Sequence, residues 1–141
     1  YGLTTEADYG YVAVTGTCKT AKLATPAVTT TGLYSVPASN KEAMLNALAN
    51  GPVSVAIEAD TFVFQFYSGG VFNNKGCGVQ LDHGVVAVGY GNLKGQDYYI
   101  VRNSWGASWG ESGYIKIASG QEKGPGICGI QSDPAYPTGS N

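Results

Sequence analysis

The alternation of apolar and polar residues predicts most of the secondary structure in the second half of the chain. Four segments alternate β-branched or aromatic residues with small or polar ones, as half-buried strands do, at residues 53–59, 85–90, 98–102 and 113–118. A Gly- and Asn-containing turn at 91–95 joins two of them. Because short loops connect the last three segments, we expect an antiparallel sheet.

One helix is predicted directly after Ser39. Ser39 and Glu42 have the S-x-x-E spacing of a capping box, and apolar residues recur at helical intervals at positions 43, 44, 47 and 48. The Gly-Pro pair at 51–52 ends the helix. An aromatic cluster at positions 62, 64, 66 and 67 is expected to pack near the first of the predicted strands.

The two ends of the chain lack a helical period. Residues 1–38 are rich in Thr, Gly, Tyr and Ala and are punctuated by Pro26 and Pro37, which predicts extended segments and turns. Residues 121–141 carry three prolines and several glycines, which predicts an irregular strap over the surface. No internal boundary is visible, so we expect residues 1–141 to belong to one domain.

Composition narrows the class of protein. A length of 141 residues suits one domain, and the 21 glycines and 10 tyrosines favour strands and turns over helices. The net charge of −2 removes the electrostatic basis for binding nucleic acid. The apolar runs are far shorter than the roughly 20 residues of a spanning helix, so no membrane segment is expected.

Few residues offer chemistry by their spacing alone. His83 is the only histidine and stands between a glycine-containing loop and an apolar strand, where a lone histidine is more often structural than catalytic. The three cysteines lie too far apart to form a C-x-x-C pair, so neither a metal site nor a cofactor is expected. Ser54 and Ser104 lack the G-x-S-x-G frame of a serine hydrolase. From composition alone, Trp105 and Trp109 would shield the core beside a tight turn.

Three segments, in order, carry a resemblance to a known family. They read DHGVVAVGYG at 82–91, YYIVRNSWG at 98–106 and WGESGY at 109–114. Together they closely resemble the C-terminal part of papain-family cysteine proteases, and further landmarks match at 3–11, 51–56, 77 and 128–137. Gly10 departs from the family, which usually has proline there. The resemblance implies an α+β fold with an antiparallel β-barrel-like domain, one clear helix and a C-terminal strap, lacking most of the N-terminal helical domain.

The resemblance also implies an activity, the hydrolysis of peptide bonds by a cysteine endopeptidase with a Cys-His-Asn site. His83 would stabilise the thiolate and later protonate the leaving amine. Asn103 would accept a hydrogen bond from the other imidazole nitrogen, and Trp105 would shield that bond from water. Asp82 resembles an auxiliary acid, and Trp109 would line the leaving-group side of the cleft.

The nucleophilic cysteine is not expected within this chain. In papain-like enzymes it lies roughly 130 to 150 residues before the His and Asn, which places it about 50 residues before Tyr1. The expected partner is therefore the N-terminal, cysteine-bearing chain of the same protease. Two alternatives stay open: a mature enzyme cleaved into two associated chains, or a fragment of one chain.

The resemblance assigns a selectivity pocket and the cysteines. The pocket accepts the side chain two positions before the scissile bond, and its walls match Ala56, Leu81 and Gly84. Its far end matches Asp133, which would pair with an arginine or lysine of the substrate or, alternatively, only cap a turn before Pro134. The expected disulfide joins Cys77 to Cys128, while Cys18 would pair with the missing segment.

Other partners and a rival function follow from the same family. Peptide or protein substrates are expected, with a propeptide or cystatin-like inhibitors, and a lysosomal, vacuolar or secreted location. The rival is a non-catalytic papain-like homologue with a replaced nucleophile, acting as a structural or binding protein. An extracellular adhesion module would explain the composition but not the ordered motifs.

Overall fold

A computed structural model describes residues 2–120 and 122–139 of the chain. The chain forms two compact units, one containing the residues up to Tyr34 and those from Pro137, the other containing Ser35 to Tyr136. In the first unit, β1 (Gly2–Leu3) pairs antiparallel with β2 (Val28–Thr29). The next strand, β3 (Gly32–Ser35), has all but its last residue in this unit. A 3-10 turn at Thr20–Leu23 is the only helical element in the described part of this unit, which agrees with the predicted extended segments.

The predicted helix is present as α1 (Lys41–Leu48), but its cap is Asn40 and not Ser39. The Asn40 Oδ1 atom accepts a hydrogen bond of 3.2 Å from the backbone N–H of Ala43. Ser39 has a φ of +54°, whereas a capping residue needs an extended backbone. The helix buries Met44 and Leu48 against the sheet.

Besides two 3-10 turns, which lie at Lys75–Cys77 and Ile127–Gly129, the remaining elements are strands and one four-residue helix. In chain order they are β4 (Val53–Ile57), α2 (Phe62–Gln65), β5 (Val71–Phe72), β6 (His83–Leu93), β7 (Gln96–Arg102), β8 (Tyr114–Ala118) and β9 (Ala135–Thr138). All four predicted strands are therefore present. The sequence pattern missed α2, β5 and β9, which are two to four residues long and too short to show a period.

The second unit contains one sheet in the order β9-β4-β6-β7-β8-β5. Its neighbouring strands pair antiparallel, except that β5 pairs parallel with β8. The α+β class is confirmed, but the sheet is open and not a closed barrel, because β5 lies at one edge and pairs only with β8. With β5 only two residues long, this edge offers too few backbone groups for closure.

The core lies on one face of this sheet. The alternation seen in the sequence matches burial: Val53, Val55 and Ile57 are buried on β4, and so are Ile115 and Ile117 on β8. The β6–β7 hairpin turns at Lys94 and Gly95, whose positive φ values of 52° and 83° suit a tight hairpin. No helix in the described part of the chain is long and apolar enough to cross a membrane.

A disulfide and a buried hydrogen bond fasten the C-terminal segment. Cys77 and Cys128 are bonded across 51 positions, whereas Cys18 is exposed and unpaired among the described residues. The hydroxyl of Tyr99 donates to the side-chain oxygen of Gln131 at 2.8 Å, and burial raises the pKa of this tyrosine. Up to β9 the segment is irregular apart from a 3-10 turn at Ile127–Gly129, but residues 128–131 are buried, so the expectation of a strap over the surface is wrong there. Residues 121, 140 and 141 of the expected strap lie outside the described residues.

Candidate active site

Antiparallel pairing brings His83 and Asn103 to the same end of the sheet. His83 is the first residue of β6, and Asn103 directly follows the last residue of β7. Since β6 and β7 pair antiparallel, with Val86 opposite Arg102, the start of one strand lies beside the end of the other. The twenty positions that separate the two residues are therefore taken up by one hairpin.

The two side chains are joined by a hydrogen bond that defines the state of the ring. His83 Nε2 lies 2.8 Å from Asn103 Oδ1, which also accepts the backbone N–H of Ser104 at 2.7 Å. Because an amide oxygen can only accept, Nε2 carries the proton and donates. His83 Nδ1 makes no hydrogen bond to any of the described residues. The nitrogen that is free for proton transfer is thus Nδ1.

Trp105 covers the His83 imidazole. The two ring centroids lie 5.1 Å apart with planes tilted by 32°, and Asn103 is only 8% exposed. The Asn103 Nδ2 atom is buried and has no hydrogen-bond partner among the described residues. A hydrogen bond enclosed in this way competes little with water.

The loop between β7 and β8 holds both tryptophans in place. The backbone N–H of Asn103 donates to the carbonyl of Gly113 at 2.9 Å, which closes the loop at its base. Gly110 has a φ of +55°, and a Cβ atom there would lie 2.6 Å from the carbonyl oxygen of Tyr114. Only glycine therefore fits this turn.

Trp109 anchors the loop to α2. Its indole N–H donates to the carbonyl of Gln65 at 2.9 Å, and its ring lies 5.3 Å from Phe64 and 5.7 Å from Tyr67. The sequence pointed to the aromatic cluster as packing, but Phe64 and Tyr67 alone are buried, while Phe62 and Phe66 are exposed.

An ion pair fixes the far side of the same loop and was not found from the sequence. Glu111 pairs with Lys116, and its Oε1 atom accepts the backbone N–H of Gly70 at 3.1 Å. The hydrogen bond from Lys116 lowers the pKa of Glu111, and the same bond raises the pKa of Lys116. The hydroxyl of Tyr67 completes the tie by donating to the Gly70 carbonyl at 2.7 Å. In the sequence, the only sign of this contact is the pair of opposite charges five positions apart, at Glu111 and Lys116.

Asp82 makes two hydrogen bonds to backbone groups at the end of β4 and just after it. Its Oδ1 atom accepts the N–H of Ala59 at 2.8 Å, and its own N–H donates to the carbonyl of Ile57 at 3.0 Å. These two bonds join the end of β4 to the start of β6, so Asp82 fixes the backbone that carries His83. The described residues show no hydrogen bond between Asp82 and the His83 ring.

Of the four expected pocket residues, strand pairing brings Ala56 and Gly84 together. Ala56 lies opposite Gly84 in the strand register, and a Cβ atom on Gly84 would meet no atom within 4 Å. Leu81 packs over Gly129, next to the disulfide. Asp133 is exposed, and the pairing of Ala135 with Ser54 directs the residues before Ala135 towards Ala56. The described residues contain no cluster of His, Cys, Asp or Glu that could hold a metal ion.

Comparisons with known proteins agree with these features. Residues 1–138 match the family described as papain family cysteine protease. Cysteine protease XCP2 of Arabidopsis thaliana is 51% identical over 137 residues, which cover 97% of this chain and 38% of that protein. KDEL-tailed cysteine endopeptidase CEP2 of the same plant is 51% identical over 136 residues, covering 96% and 37%.

A solved structure gives the same result for the fold. Bromelain protease from Ananas comosus, in complex with the E64 inhibitor, superposes with a TM-score of 0.85 at 45% identity. The match covers 97% of this chain and 63% of bromelain, and the chain spans less than two fifths of the length of the two curated relatives. On the sequence match and the shared fold together, this chain belongs to the papain family of cysteine proteases.

Proposed function

We propose that this chain supplies the histidine and the asparagine of a cysteine endopeptidase that hydrolyses peptide bonds. The observation that carries the proposal is the hydrogen bond from His83 Nε2 to Asn103, which leaves Nδ1 free at the end of the sheet. That arrangement suits a histidine that exchanges a proton with a thiol while its orientation is held from behind.

In the proposed reaction, the thiol proton of the cysteine resides on His83 Nδ1, so that a thiolate–imidazolium pair forms. The thiolate attacks the peptide carbonyl carbon, and the Nδ1 proton passes to the nitrogen of the leaving amine as the C–N bond breaks. A water molecule then attacks the thioester, and its proton returns to Nδ1. Expulsion of the thiolate releases the acid product and restores the ion pair.

Three further side chains, of Asn103, Trp105 and Trp109, orient or enclose the reacting groups in the proposed reaction. Asn103 accepts from Nε2 in both charge states of the ring, so it keeps Nδ1 facing the thiol. Trp105 excludes water from this bond, and Trp109 lines the side from which the amine departs. Asp82 acts on His83 through the backbone bonds that fix the start of β6.

The cysteine belongs to a segment upstream of residue 1 in the proposed enzyme. Residues 1–141 then form the C-terminal portion of the peptidase domain, and the upstream segment supplies the opposite wall of the cleft. Cys18, exposed and unpaired here, would form its disulfide with that segment. Whether the two parts are separate chains or one polypeptide does not alter the chemistry.

The pocket formed by Ala56, Leu81 and Gly84 is proposed to accept the second residue before the scissile bond. Asp133 would add a negative charge at its far end and favour arginine or lysine. Its carboxylate accepts no hydrogen bond within the described residues, which supports a role towards a ligand over a turn cap. Propeptide and cystatin-like inhibitors are proposed to occupy the same cleft.

A lysosomal, vacuolar or secreted location is proposed for the enzyme. One relative at 51% identity is named for a KDEL tail, a signal that is read in the endoplasmic reticulum, so that relative enters the secretory route. The Cys77–Cys128 disulfide in this chain fits an oxidising compartment.

One experiment identifies the nucleophile and thereby tests the proposal. The native enzyme is purified, its mass is measured with and without reductant, and the residue at the nucleophile position is read by peptide sequencing. We expect a cysteine there, peptide hydrolysis by the assembled enzyme and its loss on thiol alkylation. Serine or glycine at that position, with no hydrolysis, would overturn the proposal in favour of a non-catalytic homologue.

A further inference from the structure

Glu111 links two segments of the chain that are 41 positions apart in the sequence. Its Oε1 atom accepts the backbone N–H of Gly70 at 3.1 Å, and its other carboxylate oxygen pairs with Lys116. Gly70 directly precedes β5, and Lys116 lies opposite Val71 in the parallel pairing of β5 with β8. Glu111 therefore fastens the loop between β7 and β8 to the segment that connects α2 with β5.

The segment between residues 65 and 70 also holds Trp109. The indole N–H of Trp109 donates to the carbonyl of Gln65 at 2.9 Å, and its ring lies 5.7 Å from the ring of Tyr67. The hydroxyl of Tyr67 donates to the carbonyl of Gly70 at 2.7 Å. Gly70 is thus held through its N–H by Glu111 and through its carbonyl by the tyrosine that packs against Trp109.

Trp109 in turn supports the ring that covers the imidazole. Its centroid lies 5.3 Å from that of Trp105, with the planes at 81°, and Trp105 lies 5.1 Å from His83. Trp105 also contacts Phe64, but it is 39% exposed, so contacts with neighbouring rings fix its position and not enclosure in the core. A measured contact therefore exists at each step from Glu111 to the ring of His83.

We propose that Glu111 is a positioning residue, which acts on the His83 ring through the two tryptophans. This inference rests on the proposed function, in which that ring exchanges a proton with a thiol. The hydrogen bond to Gly70 carries the effect, because it joins the loop to the segment that anchors Trp109, and Lys116 orients the carboxylate. When this bond is lost, the tryptophans are held less tightly and water reaches the Nε2–H of the imidazole, so the orientation of the ring is less well fixed.

The first test measures how fast the Nε2 proton of His83 exchanges with water. The assembled, isotope-labelled enzyme is studied by NMR, and the signal is assigned by its absence from His83→Ala. In Glu111→Ala we expect this exchange to accelerate about tenfold, while the exchange of backbone N–H groups in the buried part of β7 stays unchanged. A loss of global stability would instead accelerate both.

The second test is steady-state kinetics on a fluorogenic amide, which carries no residue after the scissile bond. Glu111→Ala should lower kcat about fivefold to tenfold and change KM less than about twofold, because the orientation of the ring is disturbed and not substrate binding. Glu111→Gln should keep most of the wild-type kcat, since its amide oxygen can still accept the Gly70 N–H. Lys116→Met, which leaves Glu111 without the partner that orients it, should have a smaller effect in the same direction.

The matched control is Glu122→Ala. Glu122 also pairs with a lysine, at 3.4 Å from Lys41, but at the start of α1. This variant should match the wild type in proton exchange and in kcat. If Glu111→Ala does not fold, Lys116→Met decides by the same criteria.

Three results would overturn the inference while the protease proposal stands. They are an Nε2 proton that exchanges too fast to be detected in the wild type, wild-type exchange in Glu111→Ala, and faster exchange there with an unchanged kcat. Equal acceleration of the imidazole and the β7 protons would also overturn it, because Glu111 would then support the fold only. Absence of hydrolysis by the wild type would overturn the proposed function and this inference with it.

Discussion

The two sides of the candidate cleft are stabilised in different ways. At the proposed catalytic end, formed by His83, Asn103, Trp105 and Trp109, hydrogen bonds and ring contacts hold the side chains. On the proposed pocket side, formed by Ala56, Leu81, Gly84 and Asp133, strand register sets the positions of Ala56 and Gly84, and Leu81 packs over Gly129 next to the disulfide.

This difference follows from what proton transfer and substrate selectivity each require. Proton transfer needs one orientation of one ring, so the catalytic end is enclosed and its side chains are fixed before a substrate arrives. Selectivity needs space and one charge, which fits the open space at Gly84 and the exposed carboxylate of Asp133. Changes at the catalytic end should therefore affect all substrates, and changes on the pocket side only some.

The largest effect is expected at the catalytic end. In the assembled enzyme, His83→Ala should lower kcat by about 10³-fold or more, because the only proton carrier of the site is removed. Asn103→Ala should lower it by roughly tenfold to a hundredfold, since the base remains but its orientation is lost. Steady-state kinetics on one peptide substrate measures both.

The control for these variants is Asn46→Ala on the exposed face of α1, which should leave kcat unchanged. A His83→Ala enzyme with wild-type turnover would contradict the assignment. So would an Asn103→Ala effect that appears for some peptides only, since orientation of the ring serves every substrate.

The next largest effect concerns the disulfide on the pocket side. Cys77→Ala/Cys128→Ala opens a crosslink across 51 positions, which should lower the free energy of unfolding by about 4 kcal/mol in the chain-entropy model. Urea unfolding of the assembled enzyme measures this change. A loss below about 1 kcal/mol would show that backbone contacts alone hold the pocket side.

A smaller effect is expected from Asp133. Asp133→Ala should remove an approximately tenfold preference for arginine or lysine at the second position before the scissile bond, without changing turnover of substrates with leucine there. A positional-scanning library at a pH where the carboxyl is ionised measures the preference. Identical profiles for the two enzymes would leave Asp133 without a role in selectivity.

The smallest effect is a pH dependence at the catalytic end. The hydrogen bond from Lys116 holds the pKa of Glu111 below its usual 4.5, so this pair stabilises the fold above that pH and the contribution is lost as the pH falls through the lower folded-state value. Tyr67, which also faces the pair, has a raised pKa and stays neutral throughout this range.

Glu111→Gln should therefore make the loss of stability between about pH 5 and pH 3 shallower, by less than about 1 kcal/mol, because this partly exposed pair is still screened by solvent. Thermal unfolding across this range measures the slope. An unchanged slope would mean that the loop carrying Trp105 and Trp109 does not depend on this ion pair.

Much of the sheet was predictable from the sequence, because alternation along β4 and β8 follows burial so closely. The cap of α1 was misplaced by one residue, because Asn40 and Ser39 are both common capping residues. The positive φ of Ser39, which excludes it as the cap, cannot be predicted from its residue type. The open edge was not predictable either, since it depends on the two-residue strand β5 and its parallel pairing with β8.

The site was predictable in part. The motifs named His83 and Asn103 through a resemblance, but spacing alone would not have brought them together, because their contact depends on the register of β6 and β7. The hydrogen bond that anchors Trp109 is accepted by the backbone carbonyl of Gln65. Every residue has such a carbonyl, so no sequence pattern predicts this contact.

His83 is proposed to share a proton with a cysteine thiol, and the rate of thiol alkylation as a function of pH tests this most directly. In the assembled enzyme, iodoacetamide should react fast at pH values well below the ordinary thiol pKa of about 8.5, because the imidazolium stabilises the thiolate. His83→Ala should return the profile to that of an ordinary thiol. An alkylation profile that is the same in both enzymes would contradict the account.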